Sequence, residues 1–394
     1  MLETDNSFSE ANHNHGFSQL AEIYPELLGY ENKFFVVSGD YSSLSRYSIE
    51  EYQTFLFEKI RQGKKIIFNV CAETILTHIY ERIHEIIEEL PTTSNVFFSM
   101  CGALDGEEIY QQFAKQNGYK KHLQIICYHH FEKLMYMSHK HINSYTPKLG
   151  LKNKLFLCFN KIERYHRLHL YAHAIKNEWL DKSFFSFQGS IPEFLTKKVL
   201  YEGYTDKETY YPYMEVWVKD ILEQNKDKFP LVLNITETRH NPLDVIDEDL
   251  QYFENSYLSL VTETLFYKKT EKHYALNTLS YEPAYKFLTE KTFKPIIAKH
   301  PFILVGYKGF LDILKERGYK TFHPFINETY DTIDDDYERM NNITNEILRL
   351  KNFTENEWLD WQNGVKNIVE HNYTHFFKAG KSYKHTPWNE NWIK

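Results

Sequence analysis

Cysteine is scarce: Cys71, Cys101, Cys127 and Cys158 are the only four in 394 residues, each inside an apolar run and none in CxxC spacing. That pattern excludes a disulfide framework and a cysteine zinc site and leaves reduced core thiols. No stretch approaches the roughly eighteen uninterrupted apolar residues of a membrane span. The Asn-, Ser- and His-rich beginning lacks the basic-then-apolar order of a secretory signal. A soluble, cytoplasmic protein with no membrane partner is expected. Glycine is also limited, and no GxGxxG follows any predicted strand, which weakens a dinucleotide-dependent oxidoreductase. An excess of positive charge is missing too: the net charge is −8, which argues against a general nucleic-acid binder. No DxD stands in a strand-end loop with metal-ligand spacing. The acidic run Asp331 to Asn342 lacks the glycine and spacing of an EF-hand and reads as an acidic helix start, so no metal or other cofactor is expected.

What the chain has is apolar and aromatic surface, 42% hydrophobic with 16% aromatic, enough for two cores in a chain of two ordinary domains. Continuous apolar runs alternate with amphipathic stretches. Strands are predicted over 33–38, 65–71 (KIIFNVC), 95–101 and 122–128, with helices over 49–62, 77–90 and 107–117 between them. Strands again fit 154–160 (KLFLCFN), 184–187, 231–235 and 257–263. This alternation predicts α/β architecture with parallel sheets. The turn-rich segment 145–150 reads as an interdomain linker. The predicted organisation is a disordered 1–18, a Rossmann-like unit over 19–150, a second over 151–354, and a C-terminal helix and tail over 355–394.

The most informative stretch is 287–319, FLTEKTFKPIIAKHPFILVGYKGFLDILKERGY. Thr289 is a good N-cap, so a helix begins near Glu290. Pro295 falls within that helix, where it either kinks the helix or moves its start. The apolar run ending at Gly306 reads as a buried parallel strand, and Phe310, Leu311, Ile313 and Leu314 mark a further helix closed by Gly318. A lysine in a first helical turn opposes the dipole. Glu290 and Lys291 are therefore either an ordinary solvated pair or an anion site, in which the ammonium and free N–H groups hold the anion and the carboxylate accepts from sugar hydroxyls.

The runs SLVTET (259–264), FLTEKTFKPI (287–296) and HPFILVG (300–306) resemble the donor domain of sugar-nucleotide glycosyltransferases of the GT-B type. They are similar to fucosyltransferases, and closer still to phage-encoded glycosyltransferases with a TEKT[FW]KPI signature. The resemblance spans roughly Lys154 to Leu350. It departs from the fucosyltransferase pattern in one respect: FENS, 253–256, lies more than thirty residues ahead of Thr289, and Glu263 is the better positional match. The resemblance implies two Rossmann-like domains facing across a cleft and a last helix that crosses back to the first. It implies a nucleotide-sugar donor held by Thr289, Glu290, Lys291 and Glu263, with Arg167 or Arg164 from FNKIERYHRLHL gripping the diphosphate. Arginine suits that part because its planar fork pairs with phosphate bidentately.

Transfer also requires an acceptor hydroxyl to lose its proton. Strand-end carboxylates are the candidate bases, Glu73 first and Asp105 next, with His129 and His130 also placed to serve. Between Gln112 and Arg167 eleven Lys and Arg residues face only Glu132 and Glu163, a net +9. One basic face would suit a polyanion, with Lys115, Lys120 and Lys121 lining an acceptor groove for DNA carrying hydroxymethylated bases. Scattered basic side chains and a glycan or small-molecule acceptor are the alternative. A non-catalytic nucleotide-sugar or nucleic-acid binder of the same fold is the third reading.

Overall fold

The computed structural model describes residues 33–38, 48–70, 77–90, 92–101, 106–139, 146–161, 164–187, 215–233, 247–266 and 288–382. The expectations for 1–18, Glu73, Asp105, 234–235 and the C-terminal tail beyond 382 lie outside the described residues. The chain divides into two compact units, one comprising 1–137, 283–287 and 380–394, the other 138–282 and 288–379.

The first unit holds β1 (Phe34–Ser38), β2 (Lys65–Val70), β3 (Val96–Cys101) and β4 (Gln124–Tyr128), which form one sheet in the order β1-β2-β3-β4. Every pairing is parallel. Between the strands run α1 (Ile49–Arg61), α2 (Thr77–Ile87) and α3 (Gly106–Gln116), and α4 (His130–His139) follows β4. Ser48 and Glu51 close a reciprocal capping box on α1, a device that contributes about 1 kcal/mol. The strands are continuous apolar runs because both faces of a parallel sheet are covered, and Ile66, Ile67, Phe68, Val96, Phe97 and Phe98 are all buried. Helix α4 has no counterpart in the sequence reading. Its residues, HFEKLMYMSH, mix apolar and polar side chains without a clean stripe, so periodicity gives little warning.

The second unit holds β5 (Lys154–Asn160), β6 (Ser183–Phe187), β7 (Ser256–Thr262) and β8 (Phe302–Val305), in the order β6-β5-β7-β8 and again parallel throughout. Its helices are α5 (Tyr165–Lys176), α6 (Val216–Gln224), α7 (Asp247–Glu254), α8 (Glu290–Ile297), α9 (Phe310–Glu316), α10 (Asp336–Lys351) and α11 (Glu355–Ser382). Two parallel sheets, each with helices between its strands, make this a chain of two Rossmann-like α/β units. The predicted strand at 231–235 is reduced, among described residues, to a bridge from Leu231 to Phe187. Val232 is exposed there and offers no buried face to a strand.

Helix α8 starts where its N-cap predicts, and Pro295 lies inside it. Gly318 takes a positive φ of 88° after α9, the left-handed residue that ends a helix. Asp335 caps α10, accepting from the Glu338 amide at 2.8 Å, so the acidic run is a helix start. Trp358 of α11 stacks on Tyr257 with centroids 4.1 Å apart, and Trp361 Nε1 donates to the Phe325 carbonyl. Residues 355–379 of α11 thus belong to the second unit, and 380–382 to the first.

Candidate functional site

The second sheet changes direction once. The chain runs from β5 to β6 on one side, then returns to place β7 on the other side of β5. Ligands of open α/β sheets bind outside the carboxyl ends of the strands at such a switch point. The first sheet, whose described strands follow chain order, has none among the described residues.

Polar side chains knit the carboxyl ends at that point. Thr262 Oγ1 at the end of β7 donates to Asn160 Oδ1 at the end of β5, at 2.6 Å. The Asn160 amide donates to Ser186 Oγ of β6. Just beyond β7 stands Glu263, fully buried. Its Oε1 accepts from the Thr289 amide at 3.1 Å and from Thr292 Oγ1 at 2.5 Å. Its Oε2 accepts from Thr289 Oγ1 at 2.7 Å and from its neighbour's Thr264 amide at 3.1 Å. Four donors compensate the cost of burying the charge. The carboxylate therefore clamps the first turn of α8 onto the end of β7. The sequence reading gave Glu263 a contact to the donor; here its oxygens are turned inward onto Thr289, Thr292 and Thr264. Gly306, at the end of β8, lies against this clamp. A Cβ added there would stand 2.7 Å from the Phe310 ring, closer than packing allows.

Cations gather beside the clamp. Arg164 is the N-cap residue of α5, and Arg167 is buried with one guanidinium nitrogen donating to the Thr262 carbonyl at 3.2 Å. Lys291 Nζ lies 3.1 Å from Thr289 Oγ1, 3.4 Å from Thr264 Oγ1 and 3.1 Å from Glu290 Oε1. The Glu290 and Lys291 turn is less solvated than the ordinary surface reading requires. The Glu290 side chain is 8% exposed and that of Lys291 24%. Beside Arg167 in the same helix is His166, whose Nε2–H donates to the Glu263 carbonyl at 2.9 Å. Burial first, then the charges of Arg167, Arg164 and Lys291, hold this imidazole well below its usual range. Three cationic residues at the starts of two helices thus act on one buried ring.

The other predicted site residues are distributed differently. Helix α3 ends at Gln116 and leads to the start of β4, so Lys115, Lys120 and Lys121 stand at the amino end of the first sheet, opposite the end where α/β ligands bind. Lys121 is committed there: its ammonium donates to the carbonyls of Glu88 and, at 2.7 Å, Leu90, closing the segment after α2. His129 and His130 follow β4 at the carboxyl end, with burial lowering His130 to about 4. In the second unit, Lys152 and Lys154 stand at the amino end of β5, donating to the Glu254 and Asp181 carbonyls, while Arg164 and Arg167 follow its carboxyl end. The basic stretch is thus spread over both ends of the sheets rather than over one face.

Asn160, Thr262 and His166 were missed in the sequence. The signal available was their position, each at or just after the polar end of an apolar strand. Among the described residues no group of three or more His, Cys, Asp or Glu side chains is placed to hold a metal ion, and no helix is long and apolar enough to cross a membrane. The chain matches no protein-family model, no curated protein and no solved structure.

Proposed function

We propose that the second unit binds a nucleotide sugar outside the carboxyl ends of β5 and β7, and that the chain is a GT-B-type glycosyltransferase passing that sugar to an acceptor hydroxyl. The observation that carries this reading is that Arg167 and Lys291 bond the Thr262 carbonyl and the Thr264 hydroxyl just after β7, with Arg164 at the start of the same helix as Arg167, at the switch point. A diphosphate leaving group gathers negative charge as the glycosidic bond breaks. Fixed cations that are partly buried stabilise that charge more strongly than water does. The clamp on Glu263 adds preorganisation, since the turn carrying Lys291 is set before any ligand arrives. Glu73 is proposed as the base that deprotonates the acceptor, with Asp105 as the substitute. Lys115, Lys120 and Lys121, at the amino end of their sheet, do not favour a DNA acceptor over a glycan.

Calorimetric titration with UDP, GDP and their sugars, followed by assays of nucleotide release with hydroxymethylated DNA and with glycans, tests the proposal. One nucleotide class should bind and be released on addition of one acceptor class. Absence of binding across the panel would overturn it.

A further inference from the structure

Beyond the cations, one buried side chain holds the backbone on which they depend. Arg339, on α10, is 1% exposed. Its guanidinium lies over the Phe266 ring at 4.6 Å and 5.8 Å from the Tyr307 ring centroid. It donates to the Ile333 carbonyl at 2.9 Å, to the Phe266 carbonyl and to the Asp336 carboxylate. Phe266 also stacks with His166, with centroids 5.5 Å apart and 15° between planes. His166 in turn holds the Glu263 carbonyl. Residues 263–266 are therefore secured at both ends, by His166 at Glu263 and by Arg339 at Phe266. These four residues include the carboxylate that clamps α8 and the Thr264 hydroxyl beside Lys291.

We infer that Arg339 is a positioning residue for the anion site: by holding the ring and carbonyl of Phe266, which also stacks with His166, it sets the register of Glu263 and Thr264, and through them the place of Lys291. Burying a guanidinium is costly unless it is paired and hydrogen-bonded. Here the guanidinium carbon lies over an aromatic ring and the two Nη atoms bond two carbonyls and a carboxylate, while Nε is buried without a partner. A lysine supplies the charge without the planar fork. The inference rests on the proposed nucleotide site for its affinity readout, but its structural part does not.

The test compares wild type, Arg339→Met, Arg339→Lys and Ser259→Ala by nucleotide-sugar calorimetry, Tm and hydrogen exchange. Ser259, at the middle of β7, bonds the buried His300 at 2.8 Å and supplies a stability control. In Arg339→Met, Kd should rise roughly tenfold to a hundredfold, as displacement of a site from a distance does. Exchange should quicken at Thr264 and Thr289 and stay unchanged in β5 and β6. Arg339→Lys should regain part of the Tm but not the affinity, and it gives the reading if the methionine variant does not fold. Ser259→Ala should lose Tm with its affinity kept. Equal affinity losses in Ser259→Ala and the Arg339 variants, or quickened exchange spread evenly over the unit, would overturn the inference. If wild type binds no nucleotide, the functional proposal fails by itself, and the exchange pattern still decides the part played by Arg339.

Discussion

The Thr289 hydroxyl donates to Glu263 Oε2 at 2.7 Å while its oxygen lies 3.1 Å from Lys291 Nζ. One threonine thus joins a buried carboxylate at the end of a strand to the part-exposed cation at the start of a helix. The N-cap is held by tertiary contact as well as by its own turn.

Glu263→Gln should therefore destabilise the protein although it preserves volume. A glutamine has one acceptor oxygen for four donors and turns its own N–H groups toward them. Hydrogen bonds to a charged group, with the penalty for stranded donors, make a loss of about 3 kcal/mol the expectation. Chemical denaturation measures it. A loss below about 1 kcal/mol would mean that the clamp is not a major hold on α8.

Asp331 gives a pH dependence of stability. Its Oδ2 accepts from the Leu311 amide at 3.0 Å, in the first turn of α9. Burial above all pushes its carboxyl up to about 7, with the Asp312 and Glu328 charges adding to that and the Leu311 bond and Lys315 opposing it. Between about 4 and 7 the folded state keeps a proton that the unfolded state has released. This group's contribution is thus greatest in acid, falls as pH rises through that window and is flat above about 7. Asp331→Asn removes the titration, so its Tm relative to wild type should be higher at pH 8 than at pH 5. The same difference at both pH values would contradict the assignment.

On the proposed function the leaving group's charge is met by cations of the chain, so catalysis is predicted to persist in EDTA. Glu73→Gln should lower turnover by roughly 10²- to 10⁴-fold with donor affinity kept. If that variant is active and Asp105→Asn is not, the base is Asp105.

The strands were legible because a sheet covered on both faces demands continuous apolar runs, and KIIFNVC, KLFLCFN and FILVG stand out as such. Thr289 was legible because an N-cap is a local device. The Glu263 clamp was not: its partners lie 26 and 29 residues along the chain, and only the sheet order brings them together. Charge counting left one face and scattered side chains both open for a related reason. Lys154 and Arg164 are ten residues apart in number, yet Lys154 opens β5 and Arg164 follows its carboxyl end, capping the next helix. The stack of His166, Phe266 and Arg339 joins three separate elements, and no spacing in the sequence announces it.

The most direct measurement is calorimetric titration of wild type, Lys291→Met and Arg164→Met with the nucleotide sugar that wild type prefers, alongside Tm. Both side chains are partly accessible, so both variants should fold as wild type does. Each loses a charge-assisted contact, and Kd should rise about tenfold or more. Wild-type affinity in both folded variants, or no binding by wild type to any nucleotide sugar, would contradict an anion site at the ends of β5 and β7.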